Sequence, residues 1–274
     1  MKKKITAVIQ ARLGSTRLPG KTLMTIEGEP LLGHLIKRIK ATNYVNDIII
    51  ATTVNKRDDA IVEFARNNNL KFYRGSEEDV LDRFYNACVE FSVDTIVRVT
   101  PDCPLLDPRV VDLVISKYIE GNYDYVSNAI MPTFPDGLDT EVFSFQSLKR
   151  AWLEAGRFSE REHVTAYIVK HPDKFSIFNV KRDGEDISRM RWTVDTQKDF
   201  EFIREIFSNI SIKDDIFFLE DVLDVLNRKP ELLKINADII RNEGYLKSLQ
   251  KDKEHPVKAK SEDHHSAEPK QVCL

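Results

Sequence analysis

The sequence predicts an α/β fold built on a mostly parallel, mixed sheet flanked by helices. Three observations carry this expectation. Short β-branched runs alternate with amphipathic helical segments through the first half of the chain. A loop rich in glycine and cations follows at once on the first of those runs. Strand-like and helix-like segments then continue through the second half without an internal repeat.

Taken in order, residues 5–9 (ITAVI), 47–52 (DIIIAT), 71–74 (KFYR) and 95–99 (TIVRV) read as strands. Residues 30–40, 58–67 and 78–91 read as helices between them. In the first of these, Leu31, Leu32, Leu35, Ile36 and Ile39 share one helical face. Strands separated by helices of this length form crossover units and a parallel, doubly wound sheet. Such sheets take ligands outside the carboxyl ends of their strands. From about Tyr123, strands are expected over 123–127, 140–145, 175–180 and 190–194, with helices over 146–155, 161–170, 197–207 and 219–227. The whole reads as one domain over residues 1–250. Residues 251–274 turn polar and are expected to be a disordered tail.

Composition narrows the function. Hydrophobic content of 42% with 31% charged residues suits a globular protein with a packed core. A net charge of -3 lacks the basic field of a nucleic-acid binder. No stretch approaches the roughly 20 apolar residues of a membrane span, and the N-terminal apolar run is too short for a signal peptide. Cys88, Cys103 and Cys273 are odd in number and far apart, which indicates neither a disulfide framework nor a zinc site. A cytoplasmic protein without nucleic-acid or membrane partners is expected. His34 reads as packing or surface, and no metal role is expected of His264 and His265 in the tail.

The loop after the first strand is QARLGSTRLPGK, residues 10–21. Gly14 and Gly20 permit backbone conformations that turn amides towards an anion. Arg12, Arg17 and Lys21 then neutralise a triphosphate, the arginines through forked donors. Gln10, Ala11, Ser15 and Thr16 complete the candidate nucleotide-binding loop. The end of the loop resembles a Walker A motif, but that motif needs glycine at position 15, where this chain has Ser15. The dinucleotide fingerprint is absent as well.

Triphosphate chemistry calls for a divalent cation held by one or two carboxylates. Asp102 follows the TIVRV run in TPDCPL, where two prolines bracket a tight turn. Asp195 follows RWTV and precedes a helix, so a helix cap and a metal ligand are equally good readings of it. Asp107 reads as a cap for the next helix. In DGLDTEVF, Asp139 and Glu141 lie two apart on an expected strand and face the same side, where they accept hydrogen bonds from sugar hydroxyls. Asp136 reads as part of an exposed turn. In EREHVT, His163 alone reads as a satisfied structural histidine.

These motifs, in this order over roughly residues 5–245, resemble the cytidylyltransferases that activate sugar acids, the CMP-KDO and CMP-sialic acid synthetase group. The spore-coat polysaccharide branch of that group is the most similar. The resemblance implies a Rossmann-like nucleotide-diphospho-sugar transferase fold, with the loop gripping CTP. It implies Mg2+ on Asp102 and Asp195, with Arg12 and Lys21 beside them as catalytic residues. It also implies an acceptor site with Arg161 and His163 near the sugar or its carboxylate, and a homodimer. Cytosine discrimination is expected near Thr52. The reaction so implied is CMP transfer from CTP to an acidic sugar, for surface polysaccharide synthesis. The rival readings are transfer to a sugar phosphate or polyol phosphate, and a non-catalytic nucleotide-binding subunit of a glycan pathway.

Overall fold

The computed structural model describes residues 4–210 and 216–254. Strand β1 (Ile5–Gln10) is buried along almost its whole length, with Ala7 and Ile9 turned to one helical layer and Val8 to the other. The loop after it leads through a small hairpin, β2 (Thr25–Ile26) and β3 (Glu29–Pro30), into α1 (Leu31–Lys40). All five apolar residues expected on the inner face of α1 are buried. Next come β4 (Asp47–Thr53), α2 (Asp59–Asn67), β5 (Lys71–Gly75), α3 (Val80–Glu90), β6 (Thr95–Val99) and α4 (Pro108–Glu120). Asp107 caps α4 as expected, accepting the Arg109 amide at 2.8 Å with Pro108 opening the helix.

The second half adds β7 (Tyr125–Ser127), β8 (Glu141–Ser144), α5 (Phe145–Glu154), α6 (Phe158–Glu162), α7 (Ala166–Lys170) and β9 (Ile177–Asn179). Helices α8 (Gln197–Asn209), α9 (Leu219–Arg228) and α10 (Glu243–Glu254) complete it. The sheet has seven strands in the order β5-β4-β1-β6-β8-β7-β9. β5, β4, β1 and β6 are parallel, and β8 runs antiparallel to β6 and β7. The crossovers from β1 run one way through β4 and β5, and β6 lies on its other side. That reversal opens a crevice at the carboxyl ends of β1 and β6.

One face of the sheet packs on α1, α2 and α4, and the other on α3, α5 and α7. A third apolar cluster gathers Trp192, Phe202, Ile203, Ile206, Val222 and Val225 beside the crevice. It roots α8 and α9 against the segment that carries Asp195.

Three expectations are corrected. Residues 190–194 do not form a strand; they contribute one isolated bridge, Asp136 to Arg191. The segments meet there through two backbone bonds: the Trp192 amide donates to the Asp136 carbonyl at 2.6 Å, and the Asp136 amide to the Met190 carbonyl at 2.9 Å. Gly137 makes this approach possible. Its φ is +112°, and a Cβ there would lie 2.6 Å from the Trp192 carbonyl carbon.

The expected helix over 161–170 is two short ones, α6 and α7. His163 is extended at the end of α6, and Thr165 is drawn inward to donate to Glu141. Finally, α10 runs to Glu254, so the boundary set at residue 250 cuts through a helix and residues 251–254 are ordered helix rather than tail. The rest of the expected tail, residues 255–274 with His264, His265 and Cys273, lies outside the described residues. His34 is a structural histidine, stacked on Phe207 at 4.5 Å with Nε2 on the Ile26 carbonyl.

Candidate active site

Two clefts open side by side at the crevice, of about 400 and about 460 Å3. Gln10, Arg17, Thr100, Asp102, Asp195 and Gly244 line both, so the two share one wall. The loop expected to bind nucleotide lines the first cleft with all eight of its candidates: Gln10, Ala11, Arg12, Gly14, Ser15, Thr16, Arg17 and Lys21. Gly20 closes the loop with φ +74°, a left-handed turn that suits glycine. Gly14 does not serve as expected. Its φ is not positive, and its missing Cβ instead leaves room for the Arg57 guanidinium.

Lys21 is the hub of the shared wall. Its buried ammonium donates to Asp102 Oδ2 at 2.6 Å, to Asp195 Oδ1 at 2.8 Å and to the Val194 carbonyl at 2.7 Å. Burial alone would lower its pKa, but the two carboxylates outweigh burial and raise it, so Lys21 stays a cation. Asp102 comes from the turn after β6, and Asp195 from the strand-like run before α8. The sheet thus brings together two carboxylates 93 positions apart.

Asp195 is not the cap of α8. Thr196 holds that place, accepting the Asp199 amide in a reciprocal capping box. Asp195 is free instead to meet three cations: Lys21, Arg17 at 2.7 Å and Arg191 at 2.8 Å. Burial pushes its pKa up, but these cations prevail and pull it to about 2.

A divalent cation fits this pair by chemistry. Asp102 and Asp195 offer hard oxygen donors that converge on one point, the Lys21 ammonium. Among the described residues no group of three or more His, Cys, Asp or Glu could hold a metal without outside help. Two carboxylates completed by phosphate oxygens and water match the way magnesium is bound beside nucleotides.

Asp139, Glu141 and His163, three of the four acceptor-site candidates, line the second cleft. Glu141 is far from a bare acid: it takes the Tyr125 hydroxyl at 2.5 Å, the Thr165 hydroxyl and the Arg98 guanidinium. Asp139 is bound by Arg241 at 2.6 Å. Asp136, expected in an exposed turn, is buried and binds Arg191 at 2.7 Å. Burial and the nearby Asp139 charge push its pKa up to about 6 against the pull of Arg241 and Arg191. His163 is held by Ser248 at 3.0 Å and by the edge of Tyr245, and burial lowers its pKa to about 4.

Two candidates lie outside both clefts. Thr52 is fully buried inside β4, with no hydrogen-bond partner for its hydroxyl. Arg161 is engaged elsewhere, with forked contacts to Asp79 of 2.6 to 3.1 Å and a 2.8 Å bond to the Trp152 carbonyl. It ties α6 to the start of α3.

Four residues of the site escaped the sequence reading. Arg98 and Arg191 line the second cleft, and Lys247 and Lys251 of α10 line the first. A charge inside the otherwise apolar strand TIVRV was the signal for Arg98. Nothing local marked the two lysines, which sit in a polar stretch.

With this geometry in place, comparison with known proteins is specific. A family model described as cytidylyltransferase matches residues 6–237. The spore coat polysaccharide biosynthesis protein SpsF of Bacillus subtilis is 32% identical over 235 residues, covering 83% of this chain and 95% of that one. The 3-deoxy-manno-octulosonate cytidylyltransferase of Pelobacter propionicus is 34% identical over 198 residues, covering 61% of this chain and 74% of that one. Among solved structures, a cytidylyltransferase from Leptospira borgpetersenii superposes with a TM-score of 0.79 at 31% identity, over 84% of this chain and 97% of that one.

Proposed function

Because this chain belongs to the cytidylyltransferase family, we propose that it transfers CMP from CTP to the anomeric hydroxyl of an acidic sugar, a step in surface polysaccharide synthesis. The observation that carries this reading is the shared wall. Arg17, Asp102 and Asp195 border both clefts, so a triphosphate in one meets an acceptor in the other at these side chains.

In the transfer, the acceptor oxygen bonds to the α-phosphorus of CTP. The bond from that phosphorus to the bridging oxygen breaks, its electron pair leaves with pyrophosphate, and the acceptor proton passes to solvent. Asp102 and Asp195 would hold Mg2+, which would supply charge neutralisation at the phosphates. Arg12, Arg17 and Lys21 orient the triphosphate and meet the negative charge that grows on the leaving group. Lys21 is well placed because its ammonium exchanges carboxylate partners for phosphate oxygens without leaving the wall. His163, neutral near pH 7, offers a hydrogen bond to the acceptor, and Asp139 accepts from its hydroxyls. Glu141 orients Arg98, which meets the acceptor carboxylate.

A sugar-phosphate acceptor fits less well. Arg98, Arg191 and Arg241 are each matched by a carboxylate, Glu141, Asp136 and Asp139 respectively. That leaves little uncompensated positive charge for a dianion. Among the described residues no helix is long and apolar enough to cross a membrane. A homodimer acting in the cytoplasm on small molecules completes the proposal.

The test is pyrophosphate release with magnesium, each of the four nucleoside triphosphates being offered with a panel of sugar acids and sugar phosphates. Release with CTP and a sugar acid is the expected outcome. Release with sugar phosphates only would replace this acceptor by the rival one.

A further inference from the structure

Helix α10 packs in an unusual sense. Its residues Gly244, Lys247, Ser248 and Lys251, one stripe at helical spacing, line the nucleotide cleft. Leu246 points outward at 53% exposure, and Ser248 is the one buried residue of the helix. Apolar burial, the ordinary reason for a helix to dock, therefore contributes little here.

Polar contacts hold the helix instead. Asp252 accepts the Ser159 amide at 2.9 Å and its hydroxyl at 2.5 Å, and Ser248 meets His163. At the helix start, Glu243 binds Arg17 at 2.9 Å, and Lys247 binds Glu243 at 2.6 Å. Lys251 lies 4.5 Å over the Phe158 ring, another cleft residue. Lys247 and Lys251 thus line the same cleft as the loop cations Arg12, Arg17 and Lys21, whose present partners are the carboxylates Glu162, Glu243, Asp102 and Asp195, and cations gathered on one cleft suit a polyanion that takes the place of those carboxylates.

We propose that α10 is the third wall of the nucleotide site. Lys247 and Lys251 bind the β- and γ-phosphates of the incoming triphosphate and then the departing pyrophosphate, while Glu243 yields Arg17 to the same anion. The inference rests on the CTP-dependent transfer proposed above. Glu243 holds one arm of the Arg17 fork, the other being on Asp195, and the Lys247 ammonium at once, so one phosphate group displacing it gains both partners. Lys247 reaches the cleft at little cost, since its side chain is 63% exposed and loosely tethered.

The experiment is calorimetric titration of inorganic pyrophosphate into the full-length chain, beside steady-state kinetics with CTP. Lys247→Gln/Lys251→Gln is compared with the parent and with Lys253→Gln, an exposed lysine of the same helix that lies off the cleft. Pyrophosphate affinity is expected to fall by about tenfold in the double variant, as befits lost charge-assisted contacts. KM for CTP should rise in parallel, with CMP binding unchanged. Lys253→Gln should match the parent. In Glu243→Gln, pyrophosphate should bind a few-fold more tightly because Arg17 is released.

Equal pyrophosphate affinity in the parent and the double variant overturns the inference. So does an equal loss in Lys253→Gln, which would mean bulk charge alone. A parent that binds pyrophosphate through these lysines yet never releases it from CTP overturns the proposed reaction and leaves α10 standing as an anion site.

Discussion

Arg191 meets Asp195 at 2.8 Å from the side opposite the nucleotide loop, and its guanidinium is only 6% exposed. The same guanidinium binds Asp136 at 2.7 Å and Asp199 at 2.9 Å. One buried cation thus fixes a residue of the second cleft, the first turn of α8 and one oxygen of the carboxylate shared by both clefts. The other Asp195 oxygen is left to Lys21 and Arg17.

Arg191→Gln removes the charge that compensates three carboxylates. Breaking a buried ionic network in this way costs about 3–5 kcal/mol. Urea unfolding should show a loss of this size. Arg191→Lys should recover only part of it, because an ammonium lacks the fork. A variant as stable as the parent would show that Asp136 and Asp199 do not depend on it.

Asp102→Asn should leave the fold intact and lower turnover by a factor on the order of a thousand, as for other losses of charge stabilisation at a reacting centre. Asp195→Asn should also abolish turnover. Full activity in either variant, measured as pyrophosphate release, would remove that aspartate from the proposed metal pair.

Lys21→Ala should raise KM for CTP and slow transfer, each by about tenfold or more. It also removes one of the three cations that hold Asp195 ionised, which raises the pKa of that carboxyl. Activity of the variant should therefore fall more steeply on acidification than that of the parent. Unchanged kinetics would contradict the assignment of the loop.

His163 makes stability depend on pH. Its pKa is about 4 in the fold, against about 6.5 in an unfolded chain. Burial and the charges of Arg98 and Lys170 favour the neutral ring over the opposing pull of Glu141 and Asp252. Between these values the unfolded state binds the extra proton. The contribution is therefore complete above about pH 6.5 and is lost as pH falls towards 4, reaching about 3 kcal/mol. Comparing unfolding at about pH 7 and pH 4.5, His163→Gln should lose less stability on acidification than the parent. Equal losses would mean that His163 is exposed to protons in the fold.

Gly137→Ala places a methyl group against the Trp192 backbone and forces alanine to φ +112°. A loss of at least about 2 kcal/mol is expected from strain at such a position. Thermal unfolding should register it as a drop of several degrees. An unchanged midpoint would show that the two segments can separate at no cost.

The first half of the fold was legible because its signals are local. In β1 and α1 every apolar residue of the expected pattern is buried, with Thr6, Gly33 and Arg38 joining them. The candidate loop was legible for the same reason, since its eight candidate residues lie between positions 10 and 21 and line one cleft. Asp102 and Asp195 could be named as candidates, but only the sheet shows that they share a cation. Arg161 was misread because its forked partner, Asp79, stands 82 positions away. Residues 190–194 carry a strand's apolar pattern, yet Arg191 spends its charge sideways and Gly137 closes the gap. Helix α10 escaped notice because its docking relies on polar pairs, which leave no period in hydropathy.

The bond between Arg17 and Glu243 spans 226 positions of the chain. During synthesis the nucleotide loop leaves the ribosome early, and the helix that faces it leaves only after the entire sheet. A chain cut short before residue 243 would carry the sheet, the loop and both aspartates, yet lack the helix that lines one side of the first cleft. Such a truncation would also take Ser248 from His163 and Asp252 from Ser159, so both clefts would be left incomplete.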